Sequence, residues 1–218
     1  MTHLLNRLII EASGPQLGLL LAHAQGVSSS LSEADGRHDQ RLLDDILRLL
    51  AQAGLQISDL NEVGVGIGPG SFTGIRVALA SAQGIAMARN LPLLGLDSLA
   101  LLALSQPDGD YHVALDARLG EAYHAAYQVK NQTLRCEMAP QLIAVDQLAP
   151  LNEQYCCIGD GWALTGRPSQ PATLQPSEHW LDLLDQAEAC APELLEPAYL
   201  RATVSWKKLS EQPSALSK

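Results

Sequence analysis

Val63-Gly64-Val65-Gly66-Ile67-Gly68-Pro69-Gly70-Ser71-Phe72-Thr73-Gly74-Ile75-Arg76 is the stretch from which the fold is read. Val63, Val65 and Ile67 alternate with glycine, the period of a buried strand, and glycine on its second face lets another backbone come close. A Gly-Pro-Gly turn follows at once. From Thr73 to Arg89 the small residues Ala78, Ala80, Ser81, Ala82, Gly84, Ala86 and Ala88 then spell a helix open to close approach, ended by Asn90 and Pro92. Strand, glycine turn and helix invite a phosphate-binding reading, because backbone N–H groups at a helix N-terminus attract anions. Gly70, Ser71 and Thr73 are the weak cofactor-binding candidates on that reading. The specific tests fail: a P-loop needs Gly-Lys-Ser/Thr and the first lysine is Lys130, the dinucleotide fingerprint needs glycine where Ser71 stands, and Pro69 and Thr73 flank Ser71 where a nucleophile elbow has two glycines. A turn shaped for packing is the competing reading.

Upstream of this stretch, Leu8-Ile9-Ile10, a turn at Glu11 to Pro15, Leu17 to Ala22 and Gly26 to Leu31 read as three short strands. Arg37 to Ala53 reads as a helix, with Leu43, Ile46, Leu47, Leu50 and Ala53 on its apolar side, Asp44 four residues before Arg48 on its wet side, and Gly54 as its stop. Downstream, Leu93 to Leu96 is a strand, and Asp97 or Ser98 caps a helix through Leu104. Three strands, helix, strand, helix, strand, helix is the order of a ribonuclease-H-like half. After the break at Pro107-Asp108-Gly109-Asp110, the runs Tyr111 to Leu115, Glu121 to Val129 and Thr133 to Met138, joined by turns at Asp116 to Gly120 and Lys130 to Gln132, repeat the three-strand opening. The expectation is an α/β protein of actin-like (ASKHA) architecture: a first ribonuclease-H-like half over 1–106 and a degenerate second over 107–218. The last third is proline-rich and is given only short elements, and the tail after Trp206 reads as frayed.

The 218 residues carry 47% hydrophobic and 17% charged side chains, a globular composition for one domain or two small ones. Lys and Arg number 14 against 24 Asp and Glu, a net charge of −10 that repels phosphate backbones. Cys136, Cys156, Cys157 and Cys190 form no C-x-x-C pair, and the apolar runs fall short of a membrane span, so a reducing cytoplasm is expected. His3, His23, His38, His112, His124 and His179 include no H-x-x-x-H pair, and no metal is expected. Glu11 and Asp116 open the first turns of the two copies, where actin-like kinases place acids that handle metal-bound phosphate. Asp116 and Glu121 could equally pair with Arg118 across their own hairpin.

Gly68 to Arg76, with Gln83-Gly84, Leu91 to Leu99, Asp116-Ala117-Arg118-Leu119-Gly120-Glu121-Ala122-Tyr123, Ile158-Gly159-Asp160-Gly161-Trp162, Glu196-Pro197-Ala198-Tyr199-Leu200-Arg201 and Trp206-Lys207-Lys208, resembles the bacterial TsaB (YeaZ) family across nearly the whole chain. The resemblance implies a non-catalytic scaffold with no cofactor. It would be required with TsaD, the transferase, and TsaE, an ATPase, to make threonylcarbamoyladenosine beside the anticodon of tRNAs reading codons that begin with A. It further implies a heterodimer with the TsaD-type subunit through two helices, a homodimer through the same face when alone, and no direct tRNA binding. Carried over by position, the contact face comprises His38, Arg41, Leu42 and Asp45 on the first helix and Arg76, Leu79 and Gln83 on the second. One departure concerns the opening: the family's Ile-Asp-Thr is replaced here by Ile10-Glu11-Ala12-Ser13, and losing the threonine hydroxyl weakens a phosphate site. The apparent duplication and the glycine turn leave an independent actin-like ATPase or phosphotransferase as the alternative.

Overall fold

Leu8, Ile9, Ile10 and Glu11 are all buried, so the first strand runs through the middle of a sheet covered on both faces. The computed structural model describes residues 5–33, 38–131 and 133–201, with backbone alone for 38–40. The expected tail beyond Trp206 and the Trp206-Lys207-Lys208 motif lie outside the described residues. β1 (Arg7–Glu11) pairs antiparallel with β2 (Gln16–His23), which pairs with β3 (Gly26–Glu33). On its other side β1 pairs parallel with β4 (Glu62–Gly66), and β4 pairs parallel with β5 (Leu93–Leu96).

The strand alternation sorts side chains into two cores. Leu8 and Ile10, with Leu17, Leu19 and Leu21 of β2, meet α1 (His38–Gln52) and α2 (Phe72–Arg89). Ile9 and Leu20 face the opposite way, toward α3 (Ser98–Leu104) and the second sheet. Every residue of α3 is buried, as its unbroken apolar run demands, so this helix is a wedge between the two sheets. Asp97 is its cap, accepting from the Leu99 N–H at 2.9 Å.

β6 (Gly109–Arg118), β7 (Glu121–Lys130), β8 (Thr133–Ala144) and β9 (Cys156–Ile158) form the second sheet in the order β8-β7-β6-β9. This repeats β3-β2-β1-β4 of the first sheet, down to the parallel pairing of β9 with β6. The second copy is degenerate after that point: a 3-10 turn at Asp160–Thr165 and the short α4 (Trp180–Gln186) stand where the first half has long helices. β10 (Ala189–Cys190) then crosses the boundary expected at 106/107 and pairs antiparallel with β5 at the edge of the first sheet.

Four sequence expectations are corrected. The buried stripe of α1 is Leu42, Ile46, Leu49 and Leu50, while Leu43 and Leu47 are exposed. The leucine doublets make two stripes one residue apart equally periodic, and packing on β2 selects between them. Arg48 pairs with Asp45 at 3.0 Å instead of Asp44. β8 continues through Pro140 to Ala144, which an edge strand tolerates because one side needs no N–H donor. The glycine face of β4 admits side chains instead of backbone: a Cβ at Gly64 would stand 2.5 Å from Leu184 of α4, and one at Gly66 would stand 1.8 Å from the Glu11 carboxylate.

Inside the second half His112 and His124 are buried against Trp162, with His112 Nδ1 2.7 Å from His124 Nε2. The Leu151 N–H donates to His112 Nε2 at 3.0 Å. Neutral His112 therefore carries its proton on Nδ1 and donates it to His124, whose own Nδ1–H is left without a partner among the described residues. Burial holds both rings down to a pKa of about 4. Because the folded values lie below the unfolded one, this stability is complete above pH 6.5 and is lost as the pH falls from 6.5 through about 4. Across that window each ring is expected to contribute about 3 kcal/mol, several for the pair. Proton NMR of the two rings checks it: both should keep neutral shifts at pH 5, and a midpoint near 6.5 for either would contradict the packing.

Candidate functional site

Two places gather the residues singled out by the sequence: the cleft between the halves and the outward side of α1 and α2. In the cleft, Glu11 ends β1 with its carboxylate buried. One oxygen accepts from the Ser13 N–H at 2.5 Å and the other from the Ser98 hydroxyl at 2.7 Å. Ser98 Oγ in turn accepts from the Gly68 N–H at 3.0 Å, which ties β1, the glycine turn and the start of α3 into one network. Burial pushes the Glu11 carboxyl above the ordinary range despite those donors. Asp97 is raised for the same reason, with Tyr127 donating to its second oxygen.

The candidates Gly70 and Ser71 are placed beside this network, while Thr73 is exposed in the first turn of α2. The Ser71 N–H donates to the Ser13 carbonyl at 2.6 Å, and Ser71 Oγ caps α2 by accepting from the Gly74 N–H at 3.3 Å. A Cβ at Gly70 would sit 2.5 Å from the Ser13 carbonyl oxygen, and one at Gly74 would sit 1.9 Å from that of Ala12. The glycines serve the docking of α2 onto the β1–β2 turn, and the Ser71 and Gly74 amides are engaged inside the chain. The cleft beside this turn, lined by Glu11, Pro15, Leu102, Leu115 and Leu174 among others, measures about 30 Å³. Pockets for drug-sized ligands and cofactors run to roughly 300 Å³ and more. On the far side, Asp116 pairs with Arg118 at 2.8 Å, whereas Glu121 pairs with Arg201. One of the two hairpin pairings expected for Arg118 therefore forms.

The helix residues separate by burial. Leu42 is 1% exposed and Leu79 and Asp45 are 5%, so all three belong to the chain's own interior, with Asp45 held by Ser32 and Arg48. Gln83 is half-buried and donates to the carbonyls of Pro192 and Leu195. Arg41 and Arg76 are exposed, and Arg76 lies 3.5 Å over the Phe72 ring. The His38 side chain lies outside the described residues. Between and beside these positions stand exposed apolar residues on both helices: Leu43 (51% exposed) and Leu47 (44%) on α1, which the periodicity places on the buried side, with exposed Ala80, Gly84 and Met87 on α2. The second leucine stripe of α1 and the small residues of α2 were their signals in the sequence.

Residues 26–174 match the family described as TsaD: tRNA N6-adenosine threonylcarbamoyltransferase. The Escherichia coli protein named tRNA threonylcarbamoyladenosine biosynthesis protein TsaB is 30% identical over 195 residues, which are 79% of this chain and 84% of that protein. The chain belongs to the TsaB family. The Haemophilus influenzae TsaB protein is likewise 30% identical, over 85% of this chain and 89% of its own. Among solved structures, YeaZ from Pseudomonas aeruginosa superposes with a TM-score of 0.80 at 28% identity, covering 90% of this chain and all of that one. Membership in the TsaB family and the two sheets agree on the actin-like fold. Among the described residues no helix is long and apolar enough to cross a membrane.

Proposed function

We propose that this TsaB-family chain is a non-catalytic scaffold subunit for threonylcarbamoylation of the adenosine next to the anticodon in tRNAs reading codons that begin with A. It acts in the cytoplasm with a TsaD-type transferase and a TsaE-type ATPase. The first half, 1–106, docks on the TsaD-type subunit through the outward sides of α1 and α2, or on a second copy when that subunit is absent. The second half, 107–218, braces it. The observation that carries this reading is the apolar stripe of Leu43, Leu47, Ala80, Gly84 and Met87 on two adjacent helices of a chain with net charge −10. Small residues let a partner helix approach, and leucine and methionine supply the apolar contact. The acidic surface leaves tRNA to the partner.

The engaged Glu11 carboxylate and the 30 Å³ cleft favour this reading over an independent ATPase. The test is a reconstituted reaction of unmodified tRNA, threonylcarbamoyl-adenylate, TsaD and TsaE, with and without this chain, scored by mass spectrometry of the nucleosides. Modified nucleoside is expected only when the chain is present. Equal product in both reactions, with every component active, refutes the scaffold role.

A further inference from the structure

Residues 189–201 start on the first half and finish on the second. After β10, Gln83 Nε2 donates to the carbonyls of Pro192 (2.8 Å) and Leu195 (3.1 Å). The Leu195 side chain packs over Gly95, where a Cβ would stand 2.9 Å from its Cδ1. The Ala198 N–H donates to the Ile67 carbonyl at 2.8 Å, and the Tyr199 hydroxyl accepts from the Arg76 guanidinium at 2.8 Å. Two residues on, Arg201 grips the other half: it donates to the carbonyls of Ala117 (3.0 Å) and Arg118 (3.4 Å) and pairs with Glu121 at 2.5 Å. The Arg201 side chain is mostly buried, so water screens this contact less than an open surface pair.

The turn that Arg201 grips is an unusual one. Arg118, Leu119 and Gly120 have φ of 66°, 59° and 78°, a left-handed run that costs energy at the two residues with side chains. Such a turn persists when its surroundings hold it. Leu115, which lines the cleft, lies two residues before Ala117, so the grip is made close to where the halves meet.

We propose that residues 189–201 form a strap that sets the angle between the two halves and makes α2 and the β6–β7 turn move as one body. Proteins of two such halves can change angle about their connection, and a ligand spanning the cleft is the ordinary means of fixing it. Here the cleft holds side chains, and the bridge is covalently part of the chain. Arg76 and Gln83, assigned to the partner face by family likeness, also hold the strap. The proposal concerns the isolated chain and stands whether or not the docking reading does.

Hydrogen exchange of the full isolated chain tests it, comparing wild type with Arg201→Ala, Arg201→Lys and Tyr199→Phe. Arg201→Ala is expected to speed exchange about tenfold or more at both 116–121 and the cleft-lining 13–16, with α1 and β1 unchanged. Arg201→Lys keeps the charge but loses the fork that reaches two carbonyls and a carboxylate together, so it should fall between. Tyr199→Phe should speed the first turn of α2. Faster exchange confined to 199–201 overturns the proposal, because the strap would then be a passive tail. A uniform rise that includes α1 and β1 overturns it too, since Arg201 would then support only global stability.

Discussion

Ala80→Arg is expected to leave the chain folded and to weaken its association with a TsaD-type subunit by about a hundredfold or more, roughly 3 kcal/mol. Ala80 is exposed on α2, in line with Gly84, and its neighbours within the chain do not cover it. Arginine there faces water in the free chain, so the melting temperature should stay within a few degrees of wild type, about the effect of an ordinary surface change. In a helix-on-helix contact the same side chain would have to be desolvated without a partner charge, which is where the loss arises. Leu79→Arg, one residue away, should behave in the opposite manner. Leu79 belongs to the core shared with β1, β2 and α1, and an unpaired buried charge costs about 3–5 kcal/mol, a large share of a domain's stability. Circular-dichroism melts and co-elution separate the two variants. Wild-type co-elution of folded Ala80→Arg would move the docking face elsewhere.

Two glycines ten positions apart on α2 should respond to alanine with opposite signs. Gly74→Ala places a methyl 1.9 Å from the Ala12 carbonyl oxygen, which is backbone and cannot swing aside as a side chain would. Either the first turn of α2 lifts from the β1–β2 turn or that turn is displaced, taking with it the Ser71 to Ser13 hydrogen bond. A loss of about 3 kcal/mol or more is expected, at the upper end for overpacking because no rotamer relieves it. At Gly84 nothing lies within 4 Å of the Cβ position. Gly84→Ala therefore brings only the better helix propensity of alanine and a stability gain of about 0.5–1 kcal/mol. Urea unfolding of both variants gives the comparison. Equal and small changes would mean that the glycine turn does not hold α2 against β1.

Much of the architecture was legible because it is written in local periodicity. The alternation from Val63 to Ile67 marks β4, which spans Glu62–Gly66, Asn90 adopts the left-handed conformation that ends α2, and the three-strand opening repeats after Pro107. The chemical exclusions were equally local: a P-loop or a nucleophile elbow is a matter of which residue stands next to which. The strand order of both sheets then follows from few choices, since short connections and parallel crossovers permit little else.

Side-chain destinations were less legible. Leu42 and Leu43, Ile46 and Leu47, Leu49 and Leu50 give α1 two apolar stripes, and periodicity cannot say which one meets β2. Only the packed sheet decides that Leu42 is interior while Leu43 is exposed. The sequence marked Gly66 as a site of close approach, but that a buried carboxylate fills the space depends on Glu11, 55 positions earlier in the sequence, being brought alongside by the β1–β4 pairing. The grip of Arg201 on the β6–β7 turn spans more than 80 positions and has no trace in composition, spacing or period. What the sequence alone determined is the order of elements through the first two thirds and the motifs they do not carry, because those depend on neighbours a few residues apart. What tertiary structure decided is which face of each element is used, because burial and ion pairing depend on residues that meet only when the chain has folded.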